Sequence, residues 1–444
     1  MLGGQGAETV TRPVADPVER STIAIISWRI LPLIGLGYLF SLMDRLNVSL
    51  AALQMNQELK FSATVYGLGA GAFYLAYGLF EVPSNMLMMR FGARRWLARI
   101  MFTWGLIAAA MMFVRTPAHF YVLRFLLGVA EAGFFPGIVY YLSHWFPRAQ
   151  RGRATSRFYF FGPLSSTIMG LASPPLLALH GQGGLSGWQW LFLVEGLPAA
   201  LVGIAFLLFL PESPKSVAWL TPEQSGWIDR QLKVDARRMP AAKSASLAAA
   251  LSHPATLRFG LLGFLTIGAT VTYALSAPLI LRDAGFTNGG IGKLVAVGGL
   301  LGAGGMLATG LISDRRGERF TTMWISTTLM GLSFAITAMA SSPALLAAAY
   351  LLYGLSWGAV TLSQVSAWPD VLGGRVLALG CAAVNGLSQI GAFVLPILWG
   401  KVADATGSFH AGLVGLTVAA AVSLLLTAEL AKHVRRSAGK VQVA

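Results

Sequence analysis

Long apolar segments alternate with short polar ones along most of the chain. The apolar segments recur near residues 28–50, 65–88, 96–114, 118–144, 154–180, 188–211, 256–281, 289–312, 321–340, 343–367, 373–400 and 409–431, between polar or Pro- and Gly-rich breaks. Each is close to the roughly 20 residues that a helix needs to cross a hydrocarbon core of about 30 Å. A helix satisfies its own backbone hydrogen bonds, which lipid requires. The pattern predicts an all-α membrane protein with twelve transmembrane helices.

One break is longer than the others, PESPKSVAWLTPEQSGWIDRQLKVDARRMPAAKSAS from Pro211 onward. It divides the chain into a tail 1–27, a six-helix bundle 28–211, a linker 212–255, a second six-helix bundle 256–432 and a tail 433–444. Within the linker, Thr221, Pro222 and Gln224 form an N-cap, a proline at the first helical position and a capping box. A short amphipathic helix on the membrane surface is expected there.

Two halves of equal span number suggest a duplication, and a repeat supports it. NMLMMRFGARR (Asn85 to Arg95) follows the second segment, and GLISDRRGER (Gly310 to Arg319) follows the eighth. The second fits G-x-x-x-D-R-x-G-x-R, whereas the first has Asn85 and Met89 in place of Gly and Asp. Such a loop turns tightly at its glycine and offers arginines to the C-termini of neighbouring helices. Arg90, Arg94, Asp314 and Arg315 are therefore candidates for a conformational latch.

Composition fits this picture, with 55% hydrophobic and only 11% charged residues in 444. The net charge of +15 first suggests a nucleic-acid partner, but its distribution points elsewhere. Most Lys and Arg fall in the tails and in the loops after even-numbered spans, while Lys60, Arg115, Arg282, Lys293 and Lys401 lie on the other side. This positive-inside bias puts both termini in the cytoplasm and leaves no reason to expect nucleic acid. A lone cysteine, Cys381, excludes an internal disulfide and a CxxC site.

Charges inside the spans are the exceptions that need explaining, since each costs roughly 2.5–3.5 kcal/mol at the bilayer centre on insertion scales. Asp44 and Arg45 adjoin in the first span, and Arg124 and Glu131 share a face of the fourth, two turns and about 10 Å apart. A hydrophobic quartet would pack at least as well without the desolvation cost, which favours a functional reading. Glu195 lies mid-segment in the sixth span and is balanced between packing and function. Glu81 is read as wetted or paired with a loop arginine at a cytoplasmic helix end, Arg157 as interfacial, and Glu429 as interfacial. Polar side chains in later spans, Gln364, Asn385 and Gln389, are expected to face a water-filled path.

The doubled loop and paired layout resemble the major facilitator superfamily. MDRLNVSLA, EVPSNMLMMRFGARRWLARIMFTWGLIAA, FYVLRFLLGVAEAGFFPGIVYYLSHWFPR and GWQWLFLVEGLPA resemble its anion:cation symporter family, on the branch of tartrate, 4-hydroxyphenylacetate and phthalate permeases. The resemblance implies that Arg45 holds a substrate carboxylate, that Asp44 and Glu131 carry protons, and that Arg124 partners Glu131. It also places Tyr77 and Asn385 at the cavity. Two positions depart from the family pattern. Leu42 stands where a tyrosine is common, and Gly162 where the sugar-acid branch has glutamine, so a flatter, more apolar acid is favoured.

A chemical logic joins these groups. Desolvation favours the neutral form of a buried carboxylate, and a neighbouring arginine favours the charged form. An anion that occupies Arg45 weakens that arginine's hold on the acid, so anion and proton bind cooperatively. The expectation is a proton-coupled importer of a small organic carboxylate, an aromatic acid, tartrate-like dicarboxylate or sugar acid, working by alternating access as a monomer in a bacterial inner membrane. Its partners are the anion, protons and lipid, and it needs no cofactor or metal. A proton-antiporting exporter on the same fold is the alternative. An enzyme is not expected, because H-E-x-x-H, G-x-S-x-G and Walker sequences are missing and the six histidines are scattered.

Overall fold

The structure, a computed structural model, describes residues 17–238, 252–316, 319–371 and 377–441. Among the described residues the regular structure is helical, and eleven helices are long and apolar enough to cross a membrane. In the first half these are α1 (Pro17–Glu58), α2 (Ala63–Phe91), α3 (Ala93–Ala110), α4 (Pro117–Glu131) continued by α5 (Phe134–Ser143), and α8 (Gly187–Phe209). The second half holds α10 (Pro254–Asp283), α11 (Asn288–Arg316), α12 (Phe320–Met339), α13 (Pro343–Val371), α14 (Leu377–Thr406) and α15 (His410–Val441).

The expected fifth span is the one that differs. It consists of α6 (Arg148–Tyr159) and α7 (Phe161–Leu177), which meet at Phe160. Pro163 has no N–H to offer the Tyr159 carbonyl, so the helix is interrupted there. The fourth span is broken in the same way, because Pro136 cannot bond Ala132. Gly133, with φ of 83°, makes the turn between α4 and α5 that a residue with a Cβ would resist. One consequence reaches the site: Glu131 is the last residue of α4, at the break.

The linker helix α9 (Pro222–Arg238) starts as its sequence suggests. Thr221 N donates to Gln224 Oε1 at 3.1 Å, and Gln224 N donates to Thr221 Oγ1 at 3.2 Å. On its surface Asp229 accepts from Lys233 and Lys215, which holds its carboxyl below the usual range.

Large apolar side chains such as Leu201, Leu208, Phe209 and Leu425 cover the outside, as a lipid-facing surface requires. Inside, α3 packs on α8, α10 on α14, and α11 on α13. The halves meet through α2 with α14, α7 with α11, and α1 with α10. At the α7–α11 crossing, a Cβ on Gly170 would lie 2.4 Å from the Gly292 carbonyl oxygen, and one on Gly292 2.3 Å from that of Gly170. Only glycine at both positions allows backbones this close. At the α2–α14 crossing the Asp404 carboxylate accepts from Ala63 N and Thr64 N, both at 2.9 Å. These seals lie at the ends away from the basic loops, so the halves are closed on the outer side.

Candidate functional site

A cavity of about 350 Å³ lies between the halves. It runs from Leu50, Leu275 and Pro278 at the outer end to Trp368 and Asn385 at the end nearer the basic loops. Arg45 is the single charged residue in its described wall. Tyr38, Tyr74 and Tyr159 flank it from the first half. Tyr350, Tyr353 and Trp357 face it from the second, with Gln364, Asn385 and Gln389.

Behind that wall is a buried cluster of charges. Arg45 donates to Glu131 Oε1 through Nη2 at 2.7 Å and Nε at 3.1 Å. Ser41, one turn earlier on α1, donates to the same oxygen at 2.8 Å. Glu131 is fully buried, whereas the Arg45 side chain is 24% exposed. The second Glu131 oxygen, Oε2, has no partner. Asn47 donates to Asp44 Oδ1 at 3.1 Å, one turn along the helix, and Asp44 Oδ2 is unpartnered.

The expected pairing of Arg124 with Glu131 is not formed, and Arg45 takes that glutamate instead. The cause is the length of helix between them: Glu131, at the end of α4, is met by α1, while Arg124, two turns earlier, is met by α2. Arg124 Nη2 reaches the Ala70 carbonyl at 3.5 Å, and its guanidinium lies 4.8 Å from the centre of the Phe73 ring. Arg45 stands 5.5 Å from the same ring and 4.9 Å from that of Tyr77. Phe73 thus touches both guanidinium groups, at distances where a ring face attracts a cation. Asp44, Tyr77 and Arg124 all sit behind the cavity wall rather than in it.

The second-half candidates all line the cavity. Gln364 Nε2 donates to Thr266 Oγ1 at 2.7 Å, and Gln389 keeps an unpartnered Oε1. Asn385 Nδ2 donates to Glu81 Oε2 at 2.9 Å, joining α14 to α2. Glu81 is therefore tied to the opposite half rather than left to water. Leu42 and Gly162 both line the cavity and face one another, with Leu42 Cδ1 3.1 Å from where a Gly162 Cβ would be. Arg157 is exposed at the end of α6.

At the first loop of the repeat, α2 ends at Gly92, and Arg94 Nε donates to the Leu207 carbonyl in the last turn of α8 at 3.1 Å. Arg90 is exposed against Phe91. In the second copy Arg315 is exposed, while the Asp314 side chain and residues 317–318 lie outside the described residues. Sequence reasoning missed Ser41, Asn47, Phe73 and the aromatic wall of α13. Ser41 and Asn47 carried a signal, one helical turn before Arg45 and one after Asp44.

Two bundles joined around a cavity with a buried charge cluster behind its wall is the arrangement of a transporter. The family model of the Major Facilitator Superfamily matches residues 34–396. The chain belongs to that superfamily. A protein of Agrobacterium vitis, named provisionally for tartrate transport, is 39% identical over 422 residues, covering 94% of this chain and 93% of that protein. The quinolone resistance transporter of Acinetobacter baumannii is 34% identical over 412 residues, covering 92% and 94%. Among solved structures, a bacterial homologue of the human lysosomal transporter Spinster superposes with a TM-score of 0.71 at 15% identity, covering 95% of this chain and 98% of that one. This major facilitator is thus a multi-pass membrane transporter of small metabolites and not an enzyme. Its relatives are in keeping with the anion:cation symporter branch.

Proposed function

We propose that this major facilitator is a proton-coupled importer of a small organic monoanion with a flat, largely apolar body, working as a monomer in the bacterial inner membrane. The observation that carries the reading is the Arg45–Glu131 bond, 2.7 Å long, with the arginine in the cavity wall and the glutamate buried behind it. A substrate carboxylate that takes Arg45 competes directly with Glu131. The glutamate, sealed from water and deprived of its cation, is then neutralised by a proton. Anion and proton therefore enter the cycle together, and linkage makes the coupling reciprocal.

One arginine matches one carboxylate, which favours a monoanion over a dicarboxylate. The rings of Tyr350, Tyr353 and Trp357 suit a planar body. Leu42 and Gly162, meeting across the wall, offer no hydroxyl-reading group where a sugar acid would need one. The relative named for quinolone resistance favours a second reading, export by proton antiport, through the same cavity. Alternating access needs no cofactor beyond the proton gradient.

The deciding experiment is uptake into proteoliposomes of labelled benzoate, tartrate, gluconate and glucose, with and without an inward proton gradient. Gradient-driven uptake of benzoate, lost in Arg45→Ala, is expected. Uptake of tartrate alone would overturn the monoanion, and proton-driven extrusion without carboxylate uptake would favour the exporter.

A further inference from the structure

The charge cluster contains one acid more than its bases can balance. Asp44, Glu131 and Glu195 stand against Arg45 and Arg124, so the fully ionised cluster carries one net negative charge. Glu131 has Arg45, and Asp44 has Asn47 and faces Arg124. Glu195, on α8, is 5% exposed, and neither of its carboxyl oxygens has a hydrogen-bond partner.

The groups facing Glu195 come from α1. Asn47 is turned toward it without closing a hydrogen bond, and Asp44 lies beyond. From α3, Trp104 faces Asp44 with its Nε1 unpartnered. The other neighbour of α8, α7, contains no titratable residue. Arg124 and Glu131, on α4, reach the group only through Asp44. No salt bridge connects Glu195 to a base among the described residues. A carboxylate so placed would be a buried charge with no cation and no closed hydrogen bond, an arrangement that proteins avoid by neutralising the group.

We propose that Glu195 is a third proton-holding residue of the transport cycle, exchanging its proton with Asp44 past the Asn47 amide. This rests on the reading of the chain as a proton-coupled carrier. While Arg45 holds Glu131, one proton on Glu195 brings the cluster to neutrality. A proton that arrives on Asp44 moves on as its O–H bond breaks and one to Glu195 forms, which leaves the negative charge on Asp44 beside Arg124. The reverse transfer returns the proton to Asp44 for release, so Glu195 is charged only in passing. The buried acids thus take up and release protons one at a time, and the cluster never carries two unbalanced charges.

The test uses the full chain in lipid, with Glu195→Gln as an isosteric neutral variant and Glu195→Asp as the conservative one. In proteoliposomes with a one-unit pH gradient, each coupled proton multiplies accumulation about tenfold. With benzoate as probe, Glu195→Gln is expected to lose about that factor while keeping exchange at equal pH, and Glu195→Asp to recover most of it. Accumulation equal to the wild type in Glu195→Gln would overturn the proposal and make Glu195 a packing residue. So would accumulation driven by sodium instead of protons and lost in Glu195→Gln, because the odd charge would then belong to a metal cation.

A second readout does not depend on transport. Infrared difference spectra between pH 9 and pH 5 should show a carboxylic-acid C=O band that disappears in Glu195→Gln and shifts in Glu195→Asp. Identical spectra in all three proteins would overturn the assignment. If wild-type vesicles accumulate no anion, the functional reading fails, and the infrared arm still decides whether Glu195 binds a proton.

Discussion

Asp44, Arg124, Glu131 and Glu195, the buried acids and bases among the described residues, all belong to the first half. Across the cavity the second half presents Tyr350, Tyr353 and Trp357 with the amides of Gln364, Asn385 and Gln389. The scaffold is duplicated, down to the loops after the second and eighth spans, yet the chemistry is not. One half balances charge, and the other shapes a surface for an uncharged body. On the proposed proton-coupled reading, this separates energy coupling from selectivity, in parts that mutation can address independently.

The comparison breaks most sharply at Arg45. Arg45→Ala is expected to lower carboxylate uptake by about 100-fold, the effect of losing a charge-assisted contact worth about 3 kcal/mol. It also leaves Glu131 buried without its cation, so thermal unfolding in detergent should show a loss of roughly 3–5 kcal/mol. Uptake close to wild type would mean that the second half, not the first, reads the anion.

Glu131→Gln comes next. Accumulation under a one-unit proton gradient is expected to fall about tenfold, while exchange of labelled anion at equal pH on both sides continues. Loss of both activities together would assign Glu131 to binding rather than coupling.

A change in the opposite wall should act on selectivity alone. Trp357→Ala removes ring contact worth about 1.5 kcal/mol, so KM for an aromatic acid is expected to rise about tenfold with kcat within about twofold. A fall in kcat with unchanged KM would blur the division between the halves. The smallest effect belongs to the outer seal. Asp404→Asn removes a charge worth about 0.5–1 kcal/mol at the start of α2. Ser276 is buried on α10 beside Ala63 and Tyr66 at the start of α2, and in a Cys381→Ser, Ser276→Cys background its labelling from outside is expected to quicken about threefold.

The spans, the long linker and the loop repeat were legible because lipid imposes a length and a polarity on every crossing. The interruptions of the fourth and fifth spans were legible in part, since Pro136 and Pro163 remove a backbone donor whatever surrounds them. Partners were not. Apolar sequence around Arg45 says that its charge must be met, but Glu131 is 86 residues away and reaches it through space. Asn385 and Glu81 are 304 residues apart and meet only because α14 packs on α2. Glu195 was visible as an oddity, and its isolation became clear only once Arg45 and Arg124 were seen to be engaged elsewhere.

The crossing of α7 and α11 has a thermal consequence. Gly170 and Gly292 bring carbonyl against Cα, so parting them wets little hydrocarbon. Heat-capacity changes scale with the apolar surface exposed to water. If parting this seam limits turnover, its activation heat capacity is small, and the logarithm of the transport rate against inverse temperature should run straight rather than bend.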